Sequence, residues 1–444
     1  MIASRSCPFS CTFCFHPTGR VYRERSLNDV FAELDHLIAR YGVNMVAVLD
    51  ELFAVKEDRL AEFCERIRLY GLKWMVQLHV KTASAQVLDR MAEAGCVYIS
   101  YGLESFDDGV LGSMRKKATA ETIERALRLT RERGIGIQGN FIFGDPAETP
   151  ETAARTIDWW GRNRSYQINL TPLQLYPGTQ IYEDAIAGGL FTRREALENP
   201  LTNISAMDAG TRARLDARLM VHGETLLIPA PVTAFEVEAE DPRRGPLYRI
   251  AWTCPDCGED NVYARTPVDN VEDFQALRLT CRGCLGRYDI ENMARPYWHD
   301  EACERDYAEA IRLRESGNVT EAFSRLTAVA ERSFAFAGNN APDAVIRAAF
   351  DAGVLALGPL KDPVRAADLL GRALLRRAFD PRYHLMYALA LVSAGEAGAA
   401  AMHLDQANRL VAHGGAADGV LALAARIGAL IDAAGALSPA RTVA

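Results

Sequence analysis

To about residue 190, short apolar runs alternate with stretches in which apolar positions recur every three or four residues. The runs read as strands and the stretches as amphipathic helices. Ser26 and Asp29 mark a helix start, Val30, Phe31, Leu34, Leu37, Ile38 and Tyr41 form one face, and Gly42 ends it. A strand over 43–49 follows and runs into Asp50-Glu51. A second helix carries Leu60, Phe63, Cys64 and Ile67 and ends near Gly71, before a strand over 74–80. A helix with Leu88 and Met91 closes at Gly95, and a strand over 96–101 leads into Gly102-Leu103-Glu104-Ser105. Ile123, Ala126, Leu127 and Thr130 mark a helix ending at Gly134. A strand over 135–143, a helix near Trp159-Trp160 and a strand over 167–173 complete the series.

With 2–5 as the first, this pattern predicts six strands in βα alternation. Near-continuous apolar strands between helices imply a parallel sheet covered on both faces, here a partial (β/α)6 TIM-like barrel of the α/β class. Chemistry in such barrels gathers at the carboxyl ends of the strands. The pattern then changes. Residues 196–245 read as a helical connector around Leu215, Leu219 and Met220, 246–297 as short strands around two cysteine pairs, and 298–437 as an all-α repeat domain. The last residues, 438–444, read as a disordered tail.

Length supports this division, because 444 residues exceed one ordinary core. With 49% hydrophobic and 24% charged residues, the chain has the composition of a soluble globular protein. No apolar run approaches a membrane span, and the start lacks the order of a signal peptide. A net charge of −8 gives no reason to expect nucleic-acid binding. The ten cysteines include a triplet and two C-x2-C pairs, which read as metal ligands in a reducing, cytoplasmic compartment. Cys64 and Cys96 sit on apolar faces and read as core.

Cys7, Cys11 and Cys14 stand at C-x3-C-x2-C spacing. Three thiolates so spaced can hold three corners of an iron–sulfur cluster and leave the fourth iron open. The stretch Ser4-Arg5-Ser6-Cys7-Pro8-Phe9-Ser10-Cys11-Thr12-Phe13-Cys14 is followed by four ordered landmarks. These are Leu49-Asp50-Glu51-Leu52-Phe53, Tyr101-Gly102-Leu103-Glu104-Ser105, Phe141-Ile142-Phe143-Gly144-Asp145-Pro146-Ala147-Glu148-Thr149 and Tyr176-Pro177-Gly178-Thr179. In these features residues 1–195 resemble the radical S-adenosylmethionine (SAM) family, especially its cobalamin-associated branch and the related methylthiotransferases. The family usually has Gly at the positions of Ser6 and Ala147.

The resemblance implies that Cys7, Cys11 and Cys14 hold a 4Fe–4S cluster whose open iron chelates the amino and carboxylate groups of SAM. One-electron reduction would then release a 5′-deoxyadenosyl radical that abstracts hydrogen from an unidentified substrate. It implies an electron donor such as a flavodoxin or ferredoxin. Phe13 is suited to pack on the adenine, and Gly139 to let the strand backbone approach it. Asp50 or Glu51 would meet the methionine ammonium, and the sequence does not choose between them. Glu104 would face SAM. His16 and His79 lie near the rim, where an ordinary hydrogen-bonded role is the simpler reading of each. Cobalamin-associated relatives carry a cobalamin domain before the barrel, whereas Met1 lies six residues before Cys7. The sequence reading therefore expects either a start clipped from a longer protein, cobalamin-dependent methyl transfer included, or cobalamin-free chemistry. A third reading is a non-catalytic binding protein with a relic barrel.

Cys254, Cys257, Cys281 and Cys284 form two knuckles separated by 23 residues. Four thiolates so paired suit a structural zinc in a ribbon-like module, with an auxiliary iron–sulfur cluster as the rival. In the helical region Gly317, Gly358 and Gly395 fall 41 and 37 residues apart in similar surroundings. The plan resembles tetratricopeptide-like helix pairs, either as a protein- or peptide-binding surface or as a helical cap.

Overall fold

A computed structural model of the chain describes residues 1–268, 271, 274–295, 298–332, 341–414 and 418–437. The chain forms two units, Met1–Leu219 and Met220–Ala444. The tail expected over 438–444 lies outside the described residues.

In the first unit β1 (Ser4–Arg5) and β2 (Arg23–Glu24) make a small antiparallel pair. Then α1 (Leu27–Tyr41), β3 (Met45–Val48), α2 (Glu57–Arg68), β4 (Lys73–Leu78), α3 (Ala85–Glu93) and β5 (Cys96–Glu104) follow. Next come α4 (Asp108–Ser113), α5 (Ala120–Glu132), β6 (Gly136–Phe143), α6 (Pro150–Arg162), β7 (Ile168–Pro172), α7 (Gln180–Ala187) and α8 (Arg193–Glu198). Strands β3 to β7 form a five-stranded parallel sheet in sequence order. The expected element order holds, with one correction. Residues 2–5 are not a sixth parallel strand: Ser4 and Arg5 pair with β2 instead. Met1 lies beside β3, its amino group donating to the Ala47 carbonyl at 2.8 Å and its carbonyl accepting from the Leu49 N–H at 3.0 Å.

Local chemistry explains the helices. The Ser26 side chain caps α1 by accepting from the Asp29 N–H, and Gly42, at φ 60°, closes it by donating to the Ile38 carbonyl. Val30, Phe31 and Leu34 are buried as the pattern predicts, while Tyr41 is exposed. Alternate strand residues (Trp74, Val76 and Leu78; Ile99, Tyr101 and Leu103; Ile137, Phe141 and Phe143) are buried. Trp74 packs on Phe63 of α2, and the Tyr101 hydroxyl meets Thr130 of α5, so this is the helix-facing side of the sheet. The opposite side carries Gln77, Ser100 and Gln138 in register, with Asn140 beside Asn169. Cys64 and Cys96 are buried.

The helix α9 (Ala209–Thr225) carries the chain into the second unit. There β8 (Val232–Asp241), β9 (Gly245–Thr253) and β10 (Asp260–Pro267) form an antiparallel sheet, and β11 (Ala276–Thr280) pairs with β12 (Arg287–Glu291). The connector expected over 196–245 is thus only partly helical. Its second half is β8, where Val232, Ala234, Phe235 and Val237 pair with β9. Among the described residues seven helices follow: α10 (Glu301–Glu315), α11 (Val319–Glu331), α12 (Asp343–Leu357), α13 (Pro363–Leu374), α14 (Pro381–Ser393), α15 (Ala397–Gly414) and α16 (Asp418–Leu437). Gly317, Gly358 and Gly395 stand in the turns between α10 and α11, α12 and α13, and α14 and α15. Small buried residues such as Ala322, Ala348, Ala352, Ala366 and Ala400 let these helices pack closely. Among the described residues no helix is long and apolar enough to cross a membrane.

Candidate active site

The cysteine triplet lies in the loop after β1, tied down on both sides. The Thr12 N–H donates to the Met114 carbonyl, and the Thr12 carbonyl accepts from the Ile181 N–H, each at 3.1 Å. The residue before the triplet, Ser6, is buried and held at φ 69°, the left-handed region that favours glycine. This explains why glycine is usual there in the family the sequence resembles. Here the Ser6 hydroxyl donates to the Gly19 carbonyl at 2.5 Å, which offsets part of the strain.

The three thiols are half-buried. Burial pushes each above its ordinary pKa, Cys14 to about 12, and neighbouring thiols add to the rise at Cys11 and Cys14. Lys116 opposes the rise at all three, and at Cys7 a backbone hydrogen bond from Phe9 opposes it more. The Lys116 ammonium is 3.0 Å from Glu104 Oε1, and the two side chains are 9% and 8% exposed. Although burial pulls Lys116 down, Glu104 and the neighbouring thiols hold it above the usual lysine value. Glu104 ends β5 at φ 70°, just past a register shift in the β5–β6 ladder. Strain of this kind is characteristic of functional sites. Sequence reasoning found Glu104 but missed Lys116, which lies twelve positions further on and is brought back to the strand end by the short α4.

The adjacent acids separate by environment. Asp50 is 3% exposed, accepting from the Ala3 N–H at 2.8 Å and the Ser4 hydroxyl at 2.7 Å. Both its oxygens thus hold the N-terminal segment. Glu51 is half-buried, with Oε2 3.6 Å from His16 Nδ1 and Oε1 accepting from Thr18 at 3.4 Å. Phe13 packs against an apolar cluster of Leu173, Leu175, Ile181 and Tyr182. Gly139 serves a packing need: a Cβ there would lie 2.5 Å from Leu103 Cδ1, so its bare backbone admits the Leu103 side chain. His79 follows the carboxyl end of β4 and lies against Phe9, between Cys7 and Cys11, with ring centroids 4.5 Å apart and the planes tilted by 30°. The triplet, Lys116, Glu104 and His79 thus gather at the carboxyl edge of the parallel sheet, where such folds place chemistry. The set suits an iron–sulfur cluster: three thiols that must ionise to bind metal, beside one buried ammonium that favours their anionic form.

In the second unit Cys254 and Cys257 lie between β9 and β10, and Cys281 and Cys284 between β11 and β12. Among the described residues, these four form the group of metal-ligand type whose donor atoms all lie within 4.8 Å of one another. Cys254 Sγ is 3.7 Å from Cys284 Sγ, and Cys257 Sγ is 3.6 Å from Cys281 Sγ. Asn261 Nδ2 at 3.5 Å and the Gly283 N–H at 3.3 Å donate to Cys281 Sγ. Burial opposes ionisation of Cys281, but hydrogen bonds from the Cys284 backbone, Asn261 and Gly283 hold it below the usual thiol value.

Residues 1–159 match the family model described as the Radical SAM superfamily. Residues 1–159 are thus a radical SAM domain, and that superfamily implies a 4Fe–4S cluster and SAM. The chain is 31% identical over 194 residues to an uncharacterised methyltransferase of Pyrococcus horikoshii, covering 43% of this chain and 42% of that protein. It is 32% identical over 167 residues to an anaerobic magnesium-protoporphyrin IX monomethyl ester cyclase of Cereibacter sphaeroides, covering 35% of this chain and 27% of that one. A solved radical SAM methyltransferase, TsrM from Kitasatospora setae, with cobalamin and a 4Fe–4S cluster bound, aligns with a TM-score of 0.39. The two are 26% identical over 42% of this chain and 36% of that one. The chain spans less than half the length of these relatives.

Proposed function

We propose that Cys7, Cys11 and Cys14 hold a 4Fe–4S cluster and that the chain reductively cleaves SAM to abstract hydrogen from its substrate. The observation that carries this reading is the half-buried triplet with Lys116 beside it at the carboxyl edge of the parallel sheet. When bound, the cluster supplies the electron that splits the sulfonium of SAM and frees a 5′-deoxyadenosyl radical. The residues of the chain do the rest. Lys116, oriented by Glu104, balances the negative charge of the thiolates. Glu51, half-buried and not committed to the backbone as Asp50 is, receives the SAM ammonium. Phe13 limits water access from the side of α7. An external one-electron donor completes the cycle.

Anaerobic reconstitution tests this. We expect about four irons per chain at this site and 5′-deoxyadenosine from SAM and dithionite. Cys7→Ala is expected to abolish that product while the circular dichroism spectrum is kept. Cleavage retained by C7A would sink the assignment.

A methyl-transfer reaction with cobalamin is a second reading, favoured by the methyltransferases among the relatives. Product analysis with and without methylcobalamin separates the two. At the four-cysteine module we propose one zinc ion. Four sulfurs at about 2.3 Å from a tetrahedral zinc lie about 3.8 Å apart, close to the spacing here, whereas a cluster spreads its cysteines over separate irons. Elemental analysis giving one zinc supports this; about eight irons and no zinc overturns it.

A further inference from the structure

We propose that His79 positions the bound cofactors by donating a hydrogen bond from Nε2–H to an anionic acceptor, either a sulfur of the cluster or the carboxylate of SAM. The proposal rests on the cluster reading above. Its starting point is an orphaned atom. His79 is 7% exposed, and Nε2 is shut off from solvent with no hydrogen-bond partner. The other ring nitrogen is committed: Nδ1 accepts from the Lys81 N–H at 3.2 Å, in the turn that opens after β4. A nitrogen that accepts carries no proton, so the neutral ring must carry its proton on Nε2. Nε2 is therefore a buried donor that lacks an acceptor, an arrangement that costs free energy until an acceptor arrives.

The surroundings indicate what it waits for. The ring lies against Phe9, inside the triplet loop. Burial pushes His79 down to about 4, and Lys116 and Lys81 reinforce this, so the imidazole stays neutral near pH 7. Those two neighbours are cations and offer no acceptor, so the electrostatics favour an incoming anion. The thiolate-ligated cluster and the SAM carboxylate are the anionic groups the proposed chemistry brings to this rim. An imidazole placed only to fill space would be replaceable by a ring without a donor. A donor to a cluster sulfur tunes its potential, because hydrogen bonds to sulfur stabilise the reduced state.

The test compares wild type, His79→Phe and His79→Gln, reconstituted anaerobically. H79F keeps a ring to pack on Phe9 and loses the donor, whereas H79Q keeps an N–H donor. Iron content and melting temperature establish loading and fold; EPR-monitored redox titration without SAM reads the potential, and equilibrium binding reads SAM affinity. If the acceptor is a cluster sulfur, H79F moves the potential to more negative values and H79Q moves it back towards wild type. If the acceptor is the carboxylate, the potential is unmoved, H79F weakens SAM binding about tenfold or more, and H79Q restores most of it. Unchanged potential and unchanged affinity in a loaded H79F overturn the proposal while leaving the cluster reading intact. If H79F does not fold, His79→Leu serves as the donorless variant under the same readouts, and unchanged potential and affinity in a loaded H79L overturn the proposal. A wild-type protein that takes up no iron overturns the cluster reading itself.

Discussion

Lys116 is the residue whose removal should be felt most widely. It shares a buried ion pair with Glu104, and taking away one partner strands the other charge. Lys116→Met is therefore expected to lower the unfolding free energy by about 3 kcal/mol. The double variant K116M/E104Q should regain much of it, measured by denaturant unfolding of the metal-free protein. Glu148 makes the opposite case. It is 1% exposed in the loop after β6, accepts from the Gly144 N–H, and burial raises it to about 8 despite Arg212. A carboxyl raised in the folded state keeps its proton there while the unfolded chain loses it. Stability from this group is thus fully present below about pH 4.5 and is lost as pH rises to about 8. Glu148→Gln should flatten the decline of melting temperature between those limits. A wild-type curve no steeper than that of E148Q would contradict the assignment. Of these roles only Glu104 was readable as a candidate beforehand. Lys116 and Glu148 take their character from what surrounds them, and a linear pattern of apolar and polar positions does not carry that.

At the scale of elements, the punctuation was legible because it acts within a few residues. Ser26 and Gly42 bound α1 through bonds to residues three or four positions away. Gly95 and Gly134 both follow helices at positive φ, 88° and 66°. Their surroundings differ: a Cβ on Gly95 would meet the Leu72 carbonyl oxygen at 2.5 Å, while one on Gly134 meets nothing within 4 Å. Gly134→Ala should cost the left-handed penalty alone, about 1–2 kcal/mol, and Gly95→Ala measurably more. Denaturant midpoints compare them, and equal losses would show that the approach of Leu72 does not matter. Residues 2–5 were misread for a related reason. Their apolar character fits a strand, but which neighbour a short strand takes depends on distant partners, here β2 and the side chain of Asp50. By contrast β8 was legible and missed: Phe235, Val237 and Ala239 alternate with Glu236, Glu238 and Glu240, the period of a half-exposed strand.

For the whole molecule, the division into two units matters for how it comes apart. The four-cysteine group lies within the second unit, among Tyr248, Ile250, Trp252, Tyr288 and Ile290. On the zinc reading, the metal supplies folding energy to this small β module. Chelation, or Cys281→Ser, should lower the unfolding of β8 to β12 and raise their amide exchange. Protection in β3 to β7 should be unaffected. Hydrogen exchange read by mass spectrometry checks this, and unaltered protection around Trp252 would tell against a structural metal.

What the sequence by itself determined was the order of βα units, the cysteine triplet and the four-cysteine knuckles. Each is written in periods or spacings of a few residues, so each survives without knowledge of the fold. Only the tertiary structure decided that Asp50 faces inward to hold the chain start while Glu51 faces the rim. It also decided that Gly139 makes room for Leu103, that Lys116 reaches the thiols, and that His79 is left with a buried donor unanswered. These depend on atoms brought together across tens of residues, and on burial that turns an ordinary side chain into a charged or orphaned one.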